Sequence, residues 1–214
     1  LFFSGTAYMI GVGIFALMPY IIKYGKNNSE LAFIIGGILC AFNLKQSKSK
    51  LRPQVLEMSK KLRHRGPDWS GLYDCEKAIL SHERLAIVDP TSGNQPIISA
   101  SENLILAANG EIYNHIEVRD EINAIKNVEW QSTSDTETLL ESIEIWGLEI
   151  TLNKIVGMYS FALWDRKSEA LYLVRDRFGE KPLYYGFLNN NFFFAYGIDF
   201  LHNFFEKENR FKVI

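Results

Sequence analysis

Three short stretches carry side chains that could do chemistry together. His82-Glu83-Arg84-Leu85-Ala86-Ile87-Val88-Asp89 sets an arginine in an apolar run, and Ser134-Asp135-Thr136-Glu137 sets an aspartate at a helix start. Between them, Ala107-Ala108-Asn109-Gly110-Glu111-Ile112-Tyr113-Asn114 breaks an apolar run with Asn-Gly. The three supply a cation, an amide beside a free backbone N–H, and an anion. A guanidinium fork suits a carboxylate, an aspartate suits an ammonium, and an amide beside a backbone N–H suits an oxyanion. Each also has an ordinary use. Arg84 could be a surface ion pair, Asp135 a charge favoured by a helix dipole, and Asn109-Gly110 a hairpin turn or a backbone that approaches something closely.

The elements that must position these groups follow from hydropathy and turn residues. Residues 31–42, 78–88 and 104–108 read as strands, with the turn cluster 90–96 between the last two. Pro53 reads as the first turn of a helix to about Arg63, with Val55, Leu56, Ser59 and Leu62 at helical spacing and Gly66-Pro67 as its stop. Residues 116–125 read as helical. Ser134 to Glu137 is a capping box opening a helix that carries Leu139, Leu140, Ile143 and Trp146 and ends at Gly147. Residues 158–164, 170–174, 182–187 and 192–196 read as a four-strand meander, and 199–207 as a last helix. Their near-continuous apolar content calls for burial on both faces, hence an α+β protein with packed sheets sandwiched between helices.

Composition bounds the function. A chain of 214 residues, 47% apolar and 14% aromatic, can bury one sizeable core, with or without an appendage. A formal net charge of −2 offers no argument for nucleic acid. Two cysteines, Cys40 and Cys75, are too few for a disulfide framework and point to a reducing, cytoplasmic setting. The histidines His64, His82, His115 and His202 lack metal-ligand spacing, so no metal is expected. Residues 1–22 carry no charge and are long enough to span a bilayer, with Lys23 and Lys26 placing the remainder on the cytoplasmic side. A membrane anchor and a non-native extension both stay open for this leader, which a polar linker at 26–30 joins to a folded domain at 31–214.

His64-Arg65-Gly66-Pro67-Asp68, Arg84-Leu85-Ala86-Ile87-Val88-Asp89, Asn109-Gly110-Glu111-Ile112-Tyr113-Asn114, Ser134-Asp135 and Arg175-Asp176-Arg177-Phe178-Gly179 occur in this order. Together they resemble the glutaminase domain of glutamine-hydrolysing asparagine synthetases, a class II glutamine amidotransferase. The resemblance covers about residues 36–198. It implies the four-layer αββα sandwich of N-terminal-nucleophile hydrolases and an L-glutamine pocket made by Arg84, Leu85, Ala86, Ile87, Val88, Asn109, Gly110, Glu111 and Asp135. Arg84 would pair the α-carboxylate, Asp135 the α-ammonium, and Asn109 with the Gly110 N–H would form the oxyanion hole. The domain itself needs no cofactor. In that family ATP and magnesium belong to a synthetase domain, in cis or in trans, that amidates aspartate with the released ammonia.

Two departures temper the resemblance. The family opens with Met-Cys-Gly-Ile, whose cysteine attacks while its α-amine acts as base. Here the matching residues are Ile35-Gly36-Gly37-Ile38, so the nucleophile position is Gly36, internal and without a side chain. Cys40 lies four residues along the expected strand, roughly 13 Å away at about 3.3 Å per residue. A second departure is Ala195-Tyr196-Gly197 where the family continues its last strand into Ala-Ser-Glu, and the sequence shows no phosphate loop of the synthetase type. The expectations are therefore a glutaminase domain, or else an inactive glutamine-binding module or truncated fragment, with membrane tethering through residues 1–22 as a further option.

Overall fold

The structure, a computed structural model, describes residues 7–12, 37–42, 47–86, 88–188, 191–195 and 211–213. Gly36, Ile87, the expected helix at 199–207 and most of the apolar leader lie outside them. In chain order the elements are β1 (Ala7–Val12), β2 (Gly37–Phe42), α1 (Lys48–Leu62), β3 (Trp69–Asp74), β4 (Ala78–Arg84), β5 (Ile97–Ile98) and β6 (Leu104–Ile112). They continue with α2 (His115–Ile125), α3 (Asp135–Trp146), α4 (Leu148–Lys154), β7 (Gly157–Asp165), β8 (Ala170–Asp176), β9 (Tyr184–Leu188), β10 (Asn191–Ala195) and β11 (Phe211–Val213).

Two sheets result, one ordered β1-β8-β7-β6-β5 and the other β11-β9-β10-β2-β4-β3. Period-two alternation sorts their side chains into layers. Ile38, Ala78, Leu80, Phe192 and Phe194 from the second sheet meet Ile105, Ala107, Ala162, Trp164, Leu171 and Leu173 from the first, forming the core between the sheets. The alternate residues Leu39, Ala41, Ile79 and Phe193 turn outward and are covered by Leu51, Val55, Met58 and Leu62 of α1. On the far side Leu106, Phe161, Leu163 and Val174 are covered by Val118, Ile122, Leu139, Leu140, Ile143 and Leu152 of α2, α3 and α4. The order is helix, sheet, sheet, helix, the four-layer sandwich expected.

Several expected elements change on folding. The four-strand meander is two hairpins in different sheets: β7 pairs β8 in the first, β9 pairs β10 in the second. The chain crosses between the sheets after Asp176, a step invisible to local hydropathy because both destinations bury both faces. The strand expected at 78–88 ends at Arg84. Helix α1 begins at Lys48, five residues before Pro53, which lies inside it on the solvent side. The carbonyl left without an N–H partner there can reach water. Part of the leader read as a spanning helix is a strand instead. Ala7–Val12 runs parallel to β8, Ala7 opposite Leu171 and Val12 opposite Asp176, because the outer edge of β8 offers backbone donors and acceptors to a short apolar segment. Among the described residues no helix is long and apolar enough to cross a membrane.

Candidate functional site

Arg84 is the last residue of β4 and is buried on the inter-sheet side, two residues after His82. Its backbone is braced by the segment that follows α1. The Asp68 N–H donates to the Arg84 carbonyl at 3.1 Å, and a Cβ on Gly66 would lie 2.2 Å from the Glu83 carbonyl. Only glycine lets this segment lie so close, which explains the Arg65-Gly66-Pro67-Asp68 wording. Beyond Arg84 the chain folds back over its own guanidinium. Nη2 donates to the carbonyls of Val88 at 2.8 Å and Asp89 at 2.5 Å, and Gly93 packs against the same nitrogen. Nε and Nη1 have no protein acceptor among the described residues. Burial lowers the Arg84 pKa, while Asp89, Asp135 and Asp68 oppose that shift.

The returning loop is pinned by Asp89. Its carboxylate accepts from the Ser92 N–H at 2.9 Å, the Ser92 hydroxyl at 2.6 Å and the Thr133 N–H at 2.7 Å, which hold its pKa well below the carboxylate range. Asp89 thus ties the loop after β4 to the turn before α3.

Asn109 and Gly110 do not form a turn. Strand β6 continues through them to Ile112, with Asn109 opposite Ser160 and Gly110 opposite Tyr159. The alternative expectation, close backbone approach, is what the structure shows. Gly110 has φ of 149°, and a Cβ there would lie 2.0 Å from the Met158 carbonyl oxygen. Asn109 is buried, and neither its Nδ2 nor its Oδ1 has a partner among the described residues. A buried primary amide with both ends unsatisfied is costly unless something occupies it. Glu111 follows, its pKa raised by burial and by Asp135, with Lys181 opposing.

The third group comes from the start of α3. Ser134 caps the helix by accepting from the Thr136 N–H at 3.1 Å. Glu137 departs from the expected box: its carboxylate turns to the Gln131 and Ser132 N–H groups at 2.7 and 2.8 Å. Arg119 of α2 holds the same turn, donating to the carbonyls of Ser132 and Ser134 while lying 4.0 Å over the Trp130 ring. Asp135 is thereby fixed and buried, one oxygen accepting from the Ile112 N–H at 2.8 Å. Burial raises its pKa, against hydrogen bonds and His115 that lower it.

These pieces line one cleft of about 470 Å³, its open mouth included. Arg84, Leu85, Val88, Asn109, Gly110, Glu111 and Asp135 all contribute to its wall. Ala86 does not; its N–H is taken by Asp68 at 2.8 Å. Ile87 lies outside the described residues, as does Gly36. Gly37, which follows it in the chain, opens β2 opposite Glu83.

The wall also includes His82, Gln95, Ser134 and Thr136, to none of which a role in the pocket had been assigned. His82 Nε2 contacts the Ala108 carbonyl at 2.9 Å, and the Ala108 N–H donates to Gln95 Oε1 at 2.6 Å. Alternation along β4 could have flagged His82, because it shares a face with Arg84. Gln95 comes from an irregular turn cluster and left no signal. Lys181, which interacts electrostatically with Glu111, is fully buried, its Nζ without a hydrogen-bond partner among the described residues. Burial pushes its pKa down to about 8, against Glu180, Asp176 and Glu111. Its position is set by Asp176, which accepts the N–H groups of Phe178, Glu180 and Lys181 and so folds the Arg175 to Gly179 motif into a turn. Among the described residues no cluster could hold a metal ion.

A buried cation and a buried anion thus line one cleft, together with a buried amide that has no partner among the described residues. The double-sheet sandwich around it is the N-terminal-nucleophile amidotransferase fold. The chain superposes on the glutamine phosphoribosylpyrophosphate amidotransferase from B. subtilis with a TM-score of 0.64, at 19% identity, over 83% of this chain and 44% of that one. Residues 35–211 match the family described as glutamine amidotransferase domain, and the chain belongs to that family. It is 43% identical over 150 residues to asparagine synthetase B (glutamine-hydrolysing) of Escherichia coli strain K12, covering 70% of this chain and 26% of that protein. Against the asparagine synthetase of Zea mays it is 41% identical, covering 70% of this chain and 25% of the relative. The chain thus spans about a quarter of the length of the curated relatives it matches.

Proposed function

We propose that this chain is the glutaminase domain of a glutamine-hydrolysing asparagine synthetase and takes L-glutamine in the cleft. The supporting observation is that buried Arg84 and Asp135 line one cleft with the Asn109 amide, which has no partner among the described residues. The Arg84 donors not used by Val88 and Asp89 pair the ligand's α-carboxylate. Asp135, with Glu111 beside it, pairs the α-ammonium; an arriving cation favours both carboxylates in the charged form that burial opposes. Asn109 Nδ2 and the Gly110 N–H take the carbonyl oxygen as it becomes an oxyanion. Leu85 and Val88 shape the wall, with the backbone at Ala86 and Ile87 beside them. The domain spans residues 31–214 with the strand at Ala7–Val12 added to its first sheet, in a cytoplasmic, reducing setting. Ammonia would pass to a synthetase domain in cis or in trans, where ATP and magnesium would serve.

Residue 36 decides whether hydrolysis follows. A thiolate there would attack the amide carbon, the collapsing intermediate would expel ammonia, and water would release glutamate from the thioester. Glycine supplies no thiol. With glycine at position 36, the chain binds glutamine without hydrolysing it by this route.

The test is glutamine-dependent ammonia release from two preparations: the unaltered chain, and a chain starting at residue 36 with Gly36→Cys and a free amine. Release by the second alone supports the pocket and the role of position 36. Release by the first overturns the placement of the nucleophile. If neither releases ammonia and calorimetry detects no glutamine binding, the glutamine reading fails.

A further inference from the structure

The ligand pocket implied by the motifs leaves out its most buried titratable wall residue, His82. The residue is 2% exposed, on the inter-sheet face of β4, two residues before Arg84. Nε2 meets the Ala108 carbonyl at 2.9 Å. A carbonyl only accepts, so Nε2 carries the proton, and in a neutral ring Nδ1 then presents a lone pair. Nδ1 is buried and has no hydrogen-bond partner among the described residues. Burial, with Arg84 adding to it and the Ala108 bond opposing, drives the ring's pKa down to about 4, so it stays neutral at physiological pH. The tautomer is locked from behind. The Ala108 N–H is held by Gln95 Oε1 at 2.6 Å, and Gln95 Nε2 reaches the Thr136 hydroxyl at 3.4 Å, at the start of α3. All four residues line the cleft.

A fixed acceptor with no donor, in the wall of a cleft that also holds Asn109, calls for an N–H. We infer that His82 is a specificity residue whose Nδ1 accepts a hydrogen bond from the ligand's side-chain amide, favouring glutamine over glutamate. The amide offers two N–H groups; a carboxylate at the same place would set its lone pairs against that of Nδ1. The inference rests on the glutamine reading and adds what distinguishes amide from acid.

The experiment exploits the two ring nitrogens. His82→Gln places its amide nitrogen near Nε2, keeps a donor for the Ala108 carbonyl and removes the acceptor at Nδ1. Calorimetry with L-glutamine and L-glutamate should show that the unaltered chain prefers glutamine. The variant should lose about tenfold in glutamine affinity, as for one hydrogen bond of ~1.4 kcal/mol, and keep its affinity for glutamate. An unchanged preference in a folded variant overturns the inference and leaves the glutamine reading standing. No glutamine binding by the unaltered chain overturns both. Should the variant fail to fold, ¹⁵N NMR of the unaltered chain decides. The His82 Nδ1 resonance should move on adding glutamine and stay put with glutamate; no movement with glutamine, or the same movement with both, sinks the idea.

Discussion

Arg84 both builds the loop over its head and faces the cleft. Two carbonyls take Nη2, at 2.8 and 2.5 Å, so the planar fork is what leaves donors for a ligand. Lysine would keep the charge and lose that division of labour. Arg84→Lys should weaken glutamine binding by about ten- to a hundredfold, as expected for losing ~1.5–3 kcal/mol of charge-assisted hydrogen bonding, read by calorimetry. Lys181 gives a pH signature. Its folded pKa of about 8 lies below its unfolded value near 10.5, so between those values the unfolded chain binds more protons and stability rises with pH. Lys181→Met should remove this rise and make the domain more stable below pH 8, by at most about 3 kcal/mol. Parallel melting curves of the two proteins from pH 7 to 10 that keep a constant offset would contradict it. Arg84, Asn109 and Asp135 were legible in the sequence because a short motif surrounds each. His82 stood in the first of those stretches without a role, because a buried histidine on a strand looks like any other core residue until its hydrogen bonds are known.

At the scale of elements, the site depends on strand ends and helix starts meeting without slack. Gly110 is the tightest point, its α-carbon side pressed on the backbone of β7 at Met158 and Tyr159. Gly110→Ala puts a methyl within the atoms of a paired strand and strains a positive φ, and should cost on the order of 3 kcal/mol or more. Urea denaturation would show a lower midpoint; an unchanged midpoint would mean that β6 and β7 separate more easily than their register implies. Arg119 works at the other wall, clamping the turn that delivers Asp135. Arg119→Ala should lower glutamine affinity without touching the cleft, with the Asp135→Asn variant showing little further loss when the two are combined. Asn109-Gly110 suits both a turn and a strand under close approach. The choice falls to β7, whose pairing through residue 157 carries β6 past the dipeptide.

The whole molecule holds the site by packing two sheets face to face. Arg84 and His82 belong to one sheet and Asn109 and Glu111 to the other, so the core between them sets the width of the cleft. Phe194→Ala in that core should cost about 3–5 kcal/mol, with the denaturation midpoint falling and its slope unchanged. Glutamine binding should weaken in the same variant although Phe194 is not part of the cleft wall, as the sheets settle around the void.

The sequence alone determined the class of fold, the order of most elements and the identity of the charged pair, because hydropathic period, caps and motifs are local. It also determined that position 36 carries no thiol. Only the tertiary structure decided that the last hairpins part into different sheets, that the chain turns back after Arg84, and that residues 7–12 add a parallel strand beside β8. It alone brought His82 and Gln95 to the cleft and buried Lys181. Strand pairing and burial are set by partners far along the chain, and no local pattern records which partner wins.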